Sequence, residues 1–255
     1  MNRMSRAVAI TLGVSCMVAA SALQAHAVWF AERAVGSSAT GTQTGLAVIF
    51  GDGSEESDPL KRQKLITGVA GYDSDLRPVP ATLEAAGPLL LFKSDKPATV
   101  ETLAVDYGTW SKRPDGEWVS GGKDEVTNAQ ASEHNYKYAV HLSGPLAKRL
   151  PLFPDQVMQI VPLGPIPQKM GQQLKLRVYF KGKPLAGAVV GPDEPTDPDT
   201  VGQKTAKDGT TTIRVRNQGL NVVVATFDAP SDQPKKYSQM EYKATLSFVL
   251  PHAPE

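Results

Sequence analysis

The residues best suited to chemistry in this chain are a few histidines and carboxylates, and the first of them, His26, lies at a predicted processing site. Two arginines precede an apolar run over residues 7–22, and small residues follow. This pattern predicts a secretory signal peptide over residues 1–25, because the apolar core is too short to span a membrane and ends in an A-x-A-type site. Cleavage after Ala25 makes His26 the first residue, whose α-amine and imidazole form a chelating pair for a divalent metal. Cleavage after Ala27 removes His26, and the sequence leaves both outcomes open.

Three other histidines complete the set. His134 and His141 fall in a segment, Asn128–Leu142, whose capping asparagine, alanines and following Gly-Pro predict a helix. Seven residues make two helical turns, so both rings share one face about 10 Å apart along the axis. That distance is too long for both to bind one metal, although either one is able to join ligands from elsewhere. His252 is expected to be a surface residue of the tail.

Composition narrows the chemistry further. The only cysteine, Cys16, lies in the predicted signal, so the processed chain has no disulfide, thiolate metal site or cysteine nucleophile. Lys and Arg total 27 against 26 Asp and Glu; loss of two arginines with residues 1–25 leaves 25 against 26, a net charge of −1. No basic excess points to nucleic acid. No second long apolar run follows, so we expect a soluble, exported, periplasmic protein.

Signatures of catalysis are absent from the sequence. There is no G-x-S-x-G elbow, H-E-x-x-H zinc motif, P-loop or dinucleotide fingerprint, and we expect no enzymatic activity. The loop Gly191–Thr200 carries four carboxylates, but it lacks the alternating ligands and the glycine of an EF-hand. We interpret it as a solvated acidic turn.

Short β-rich segments between frequent glycines and prolines are the elements that must position these residues. Several alternate apolar and polar residues with period two, which is typical of strands with one wet face. The sequence therefore predicts an all-β protein with two Ig-like or transthyretin-like β-sandwich domains in tandem, over residues 26–150 and 155–250, and a short helix near their junction. The predicted strands are Gly45–Phe50, Leu89–Lys93, Val157–Leu163, Leu174–Phe180, Thr211–Arg216, Leu220–Phe227 and Ala244–Leu250.

Several motifs together resemble the NikM-like periplasmic proteins associated with nickel and cobalt uptake. The N-terminal motif is His26-Ala27-Val28-Trp29-Phe30, directly after the predicted signal. The resemblance spans nearly the whole processed chain, and its C-terminal part is shared with many transthyretin-like sandwiches. The other matching stretches are His134–Ala139, Gln159–Leu163, Leu174–Val190, Thr205–Gly209, Asn217–Val222 and Ala244–Phe248.

The resemblance implies a protein that binds nickel or cobalt and hands it to a membrane metal transporter or an outer-membrane receptor. It makes His26 and His134 metal ligands, with Asp52 or His141 as further candidates. The family pattern has a histidine where this chain has Asp52, and a carboxylate there weakens the preference for nickel over harder ions. Copper and zinc are the alternative metals for such an imidazole, carboxylate and amine set.

Two other functions fit the sequence. One is a metal-independent interaction module of the cell envelope, built on the C-terminal sandwich. The other is a carbohydrate-binding or copper-oxidase accessory protein, suggested by an N-terminal histidine and by Trp29, Trp110 and Trp118. The hairpin that joins Trp110 to Trp118 explains those two tryptophans more simply as a cross-strand pair.

Overall fold

Strands dominate the structure, a computed structural model that describes residues 27–38, 41–53 and 55–251. Its helical pieces in that part of the chain are the one-turn helix α1 (Pro59–Arg62) and a 3-10 turn at Gln63–Leu65. The prediction of an all-β protein is confirmed. The predicted signal segment, His26 and His252 lie outside the described residues. Within the described ranges, no helix has the length and apolar character needed to cross a membrane.

The strands are numbered in chain order. The first nine are β1 (Ala27–Ser38), β2 (Gly41–Asp52), β3 (Glu55–Ser57), β4 (Ile66–Tyr72), β5 (Pro78–Val79), β6 (Ala81–Ala86), β7 (Leu89–Ser94), β8 (Val100–Lys112) and β9 (Trp118–Ser120). The remaining ones are β10 (Ala131–Leu142), β11 (Met158–Pro162), β12 (Gln173–Phe180), β13 (Lys183–Pro184), β14 (Val189–Gly191), β15 (Gln203–Lys204), β16 (Thr210–Arg214), β17 (Gly219–Pro230) and β18 (Gln239–Leu250). Each strand predicted from the sequence overlaps one of these.

These strands form three sheets. A five-stranded sheet has the order β1-β2-β7-β6, with β3 paired to β2. A nine-stranded sheet has the order β15-β14-β17-β18-β10-β8-β4-β5, with β9 paired to β8. A four-stranded sheet has the order β11-β12-β13, with β16 paired to β12. The nine-stranded sheet is the middle layer, because its two faces contribute to different cores.

One core lies between the nine-stranded and four-stranded sheets, and includes Val140, Leu176 and Leu246. A second core lies between the nine-stranded and five-stranded sheets, and includes Phe30 and Leu103. Both cores are built by the alternation of side chains along strands that are covered on both faces.

Strands from both halves of the chain join in the middle sheet, where β10 and β18 run parallel from the pair Glu133 and Gln239 to the pair Leu142 and Phe248. A single sheet therefore connects residues on either side of the predicted boundary. The division into domains of residues 26–150 and 155–250 stays a prediction.

The helix predicted over Asn128–Leu142 is wrong, because residues 131–142 form strand β10. This strand is hydrogen-bonded to β8 on one side and to β18 on the other. Those ladders use the backbone groups of β10, and its alternating aromatic residues pack well on a pleated surface. Tertiary pairing thus outweighs the weak helix preference of the alanines.

The two faces of β10 differ in character. Even-numbered residues such as Tyr138 and Val140 enter the core shared with the four-stranded sheet. Odd-numbered residues face the five-stranded sheet, and four of the buried ones are polar: Glu133, Asn135, Lys137 and His141. The middle sheet therefore presents a polar strip toward the strand that begins at Ala27.

The hairpin predicted between the two tryptophans is present as β8 and β9. Trp110 lies opposite Ser120, and Trp118 lies opposite Lys112. The tryptophans are therefore diagonal neighbours rather than the direct cross-strand partners that the sequence suggested.

Candidate functional site

His134 lies on β10 with both ring nitrogens engaged. Its Nε2 is 2.7 Å from Oδ1 of Asp106, and its Nδ1 is 2.8 Å from Oγ1 of Thr109. The ring also contacts the rings of Tyr136 and Tyr237, at centroid distances of 4.7 and 5.2 Å. A metal ion that bound this histidine would have to displace one of the two oxygen partners.

His141 lies in the interior on the opposite face of β10, as a spacing of seven residues on a strand requires. Its Nδ1 is 2.8 Å from Oγ of Ser247, and its ring packs against Phe30. Burial lowers the pKa of His141 to about 4, so the imidazole is neutral at physiological pH. Strand geometry separates it from His134 by about 23 Å along the strand, and the two do not meet.

Asp52 ends β2, next to the place where β1 begins. In the ladder of these two strands Ala27 lies opposite Gly51, the residue before Asp52. The backbone nitrogen of Ala27 therefore lies close to Asp52. The first residues of β1 are fully buried: Ala27 is 0% exposed, and Val28 and Trp29 are each 1% exposed. The chain thus enters the interior of the protein at this point.

The direction of β1 follows from two contacts with the middle sheet. Phe30 packs on His141, which lies beside Ser247 of β18, and Thr245 donates a hydrogen bond of 2.7 Å from Oγ1 to the carbonyl oxygen of Val28. Two residues along β1 therefore correspond to two residues along β18.

The acidic loop over residues 191–200 is not the solvated turn expected from the sequence. Asp193 and Glu194 are 3% and 1% exposed. The backbone N–H of Glu194 donates to the carbonyl of Val222, which fixes the loop on β17. On its other side Pro198 lies close to Gly53, where a Cβ atom would be 3.0 Å from the proline Cγ. The loop is thereby held between β17 and the turn that follows Asp52.

Glu194 is the most unusual residue in this region, because both of its carboxylate oxygens are buried and accept no hydrogen bond from any residue that the structure describes. Burial raises the pKa of Glu194 to about 7; the charge of Lys243 opposes this rise and the charge of Asp52 adds to it. Asp52 and Glu194 are therefore close enough to repel each other. Sequence reasoning missed Glu194, and nothing in its local pattern of prolines and acids distinguishes it from its neighbours.

The polar strip of the middle sheet also contains polar atoms that have no hydrogen-bond partner among the described residues. Lys137 is 0% exposed, and its Nζ lies 3.9 Å from Oε1 of Glu241 and 4.8 Å from the ring centre of Tyr107. Neither Nζ of Lys137 nor Oε1 of Glu241 has a hydrogen bond to another residue in the described part of the chain. Burial lowers the pKa of Lys137 to about 7, against the attraction of Glu241. Such unsatisfied ionic groups are costly, and they mark places where a fold awaits a ligand or water.

An open groove of about 530 Å³ continues the strip toward solvent, between the sheet and residues 198–202. Its lining includes Glu133, Asp228, Glu241 and Lys243. Burial and then the charge of Glu241 raise the pKa of both Glu133 and Asp228. The three carboxylates therefore lie near one another, and the region as a whole is suited to a positively charged partner.

Among the residues that the structure describes, no group of three or more histidine, cysteine, aspartate or glutamate side chains is arranged to hold a metal ion. The candidate ligands Asp52, His134 and His141 occupy separate places. Asp52 instead lies near Glu194, beside the start of β1. Two carboxylates are an incomplete site for a transition metal.

Comparison with known proteins places these features in a family. A family model described as a domain of unknown function, DUF4198, matches residues 23–229. An uncharacterized protein of Haemophilus influenzae is 25% identical over 242 residues, which are 94% of this chain and 96% of the relative. No solved structure matches.

Proposed function

Because this chain belongs to the DUF4198 family and carries the buried carboxylate of Glu194 near the partly buried Asp52, beside the start of β1, we propose that it binds a divalent transition-metal ion, nickel or cobalt, in the periplasm. It would deliver the ion to a membrane metal-uptake system. The resemblance of its motifs to NikM-like proteins supports the transporter as partner, and the predicted signal peptide supports the location.

The observation that carries the proposal is the buried carboxylate of Glu194 near Asp52, whose oxygens accept no hydrogen bond within the described ranges. A buried carboxylate is normally paired with a cation or bound to a metal. Here the two carboxylates repel each other, and a divalent cation between them would remove that repulsion. Both are held by elements that pack on each other, namely the end of β2 and the loop attached to β17.

His26 supplies the nitrogen ligands in this proposal. It is bonded directly to Ala27, whose position opposite Gly51 puts the connecting bond near Asp52. After cleavage behind Ala25, its α-amine and imidazole would join Asp52 and Glu194 in a set of two nitrogens and two oxygens. Such a set suits nickel, cobalt, copper and zinc more than calcium or magnesium. His134 and His141 are left out of the set, because their contacts hold them elsewhere.

Metal titration of the exported protein tests this proposal. The intact mass of the natively purified protein should match a chain whose first residue is His26. Calorimetry should show that this protein binds nickel or cobalt. We expect His26→Ala, Asp52→Asn and Glu194→Gln each to weaken binding at least about tenfold, or about 1.4 kcal/mol. Glu84→Gln, which changes an exposed carboxylate on β6, and His134→Ala are matched controls that should leave the affinity unchanged.

Three outcomes would contradict the proposal. Unchanged affinity in both Asp52→Asn and Glu194→Gln would place the metal elsewhere, and a loss confined to His134→Ala would place it at the Asp106 pair. A processed chain that binds no metal would favour the alternative of a metal-independent interaction module.

A further inference from the structure

The open groove between the middle sheet and residues 198–202 is a second site, separate from Asp52 and Glu194. We infer that it binds an organic ammonium ion, either a free alkylamine or the side chain of a lysine in a peptide. The inference goes beyond the proposed function, because it requires no metal and uses neither residue of the proposed metal site.

The strand register makes the carboxylates of the groove neighbours. Glu241 on β18 lies directly opposite Asp228 on β17 and, on its other side, directly opposite Asn135 on β10. Glu133 is two residues before Asn135 and therefore on the same face of the sheet. Side chains directly opposite each other in a sheet are about 5 Å apart at Cβ, and like charges in such pairs are destabilising. A cation bound between these carboxylates would remove that cost.

The floor of the groove contains a buried acceptor that lacks a donor. Asn135 is 1% exposed, and its Nδ2 donates a hydrogen bond of 3.3 Å to Oε1 of Glu133. Its Oδ1 accepts no hydrogen bond from any residue that the structure describes, and the same holds for Oε1 of Glu241. Glu133 and Glu241 both line the groove, so the oxygen of Asn135 lies at its floor. Buried acceptors of this kind call for a ligand with several N–H donors, which an ammonium group has.

The charge of the groove also favours a cation. Its lining contains one lysine, Lys243, and four carboxylates: Glu133, Asp199, Asp228 and Glu241. Lys137 lies beneath, with Nζ 3.9 Å from Oε1 of Glu241 and 4.8 Å from the ring centre of Tyr107. The two lysines together therefore balance only part of the negative charge of the lining.

The arrangement favours an organic cation over a metal ion. In the described part of the chain, no three carboxylate or imidazole side chains are grouped closely enough to hold a metal. The groove has a volume of about 530 Å³, and the indole of Trp118 forms part of its lining. Tryptophan attracts cations over its ring and packs well against the methylene groups of an alkylamine. An ammonium ion on an alkyl chain uses both kinds of surface.

The experiment is calorimetric titration of the exported protein in the presence of a chelator, with three probes. They are 1,4-diaminobutane, Nα-acetyl-lysine amide, and 1,4-butanediol as the uncharged match of the diamine. We expect saturable binding of an amine and none of the diol, because the carboxylates recognise the charge. Tighter binding of the diamine identifies a free amine as the ligand, and tighter binding of the lysine derivative identifies a peptide side chain.

Three variants locate the site. We expect Glu241→Gln to weaken amine binding at least about tenfold, since its carboxylate is at the floor of the groove. Asp228→Asn should weaken it at least about threefold, and this exposed position makes the variant safe for folding. Glu84→Gln removes an exposed carboxylate on the distant strand β6 and should leave the affinity unchanged. Melting temperatures confirm that each variant is folded.

The absence of saturable binding of both amines would overturn the inference, and so would equal binding of the diol. Unchanged affinity in Asp228→Asn and Glu241→Gln would do the same. Because a chelator is present, none of these results depends on a metal. Amine binding by a protein that binds no nickel or cobalt would sustain this inference and refute the proposed function, whereas metal binding without amine binding would do the opposite.

Discussion

The two faces of β10 show how differently one strand is used. The even-numbered face carries Tyr138, Val140 and Leu142 into a continuous apolar core. The odd-numbered face buries Lys137 and His141 within the same strand. One face supplies stability through packing, and the other holds charges that packing alone does not satisfy. Groups buried at a cost of this kind are where a function is expected, because stability by itself would favour apolar side chains there.

The apolar face should dominate stability. Leu246 of β18 is fully buried and lies beside Val140 in the parallel ladder. We expect Leu246→Ala to lower the free energy of unfolding by about 2–5 kcal/mol, through lost burial and the remaining cavity. Urea denaturation measures this change. Val249→Ala, at an exposed position on β18, is the control and should cost far less. Equal losses in both would show that this face is not the main core.

The polar face should behave in the opposite way. Lys137 is buried, and the side chain of Glu241, 3.9 Å away, is 12% exposed. Neither Nζ of Lys137 nor Oε1 of Glu241 has a hydrogen bond among the described residues. Replacement of a poorly satisfied buried ion pair by uncharged side chains of similar size is often neutral or stabilising. We expect Lys137→Met combined with Glu241→Gln to raise the free energy of unfolding by about 1–4 kcal/mol. A loss of similar size would show that the polar strip stabilises the fold.

His141 allows a test by pH alone. Its pKa is about 4 in the folded protein against 6.5 for an ordinary histidine. Between these values the unfolded chain holds a proton that the folded protein lacks, so stability is lost as the pH falls from 6.5 toward 4. The slope is about 1.4 kcal/mol per pH unit within this window. Denaturation at several pH values should show this slope in the difference in stability between the native chain and His141→Gln.

Glu101, the neighbour of His141 on β8, also changes its protonation on unfolding in this pH range. Burial raises the pKa of Glu101 to about 7, against the opposing effect of its hydrogen bonds from Ser143. Glu101 is protonated when folded and ionised when unfolded between pH 4.5 and 7, so it contributes a slope of opposite sign. Because Glu101 is present in both proteins, only their difference reports His141. Parallel curves would contradict the predicted burial effect.

The comparison of the two faces of β10 also shows which parts of the fold can be predicted from the sequence. Strands with period-two alternation, such as Leu174–Phe180, were predictable because one face is buried and the other is more exposed to solvent. β10 was not, since both of its faces are covered and its pattern lacks that alternation. Its conformation is decided by β8 and β18, which are distant in the sequence, and no local signal reports such partners.

The site was less predictable than the fold for a related reason. His26 and Asp52 stand out in the sequence by residue type and by position beside a signal or a strand. Glu194 does not, because its importance comes from burial by β17 and by the turn after Asp52. A carboxylate in a loop with several prolines has the composition of a solvated turn. Only the packing of the loop shows that this carboxylate is inside.

The smallest expected effect concerns His134 and sharpens the contrast with Glu194. The carboxylate of Asp106 is 44% exposed, so solvent weakens its attraction for the ring. An asparagine still accepts a hydrogen bond from Nε2–H. We expect Asp106→Asn to change the free energy of unfolding by less than about 1 kcal/mol, and by less still at high salt. Chemical denaturation at two salt concentrations checks this.

A change of several kcal/mol, or a loss of metal binding in the same variant, would move the functional centre from Glu194 to the opposite face of β10. A negligible change would leave Glu194 as the better candidate, because burying its carboxylate costs free energy that a bound cation would offset.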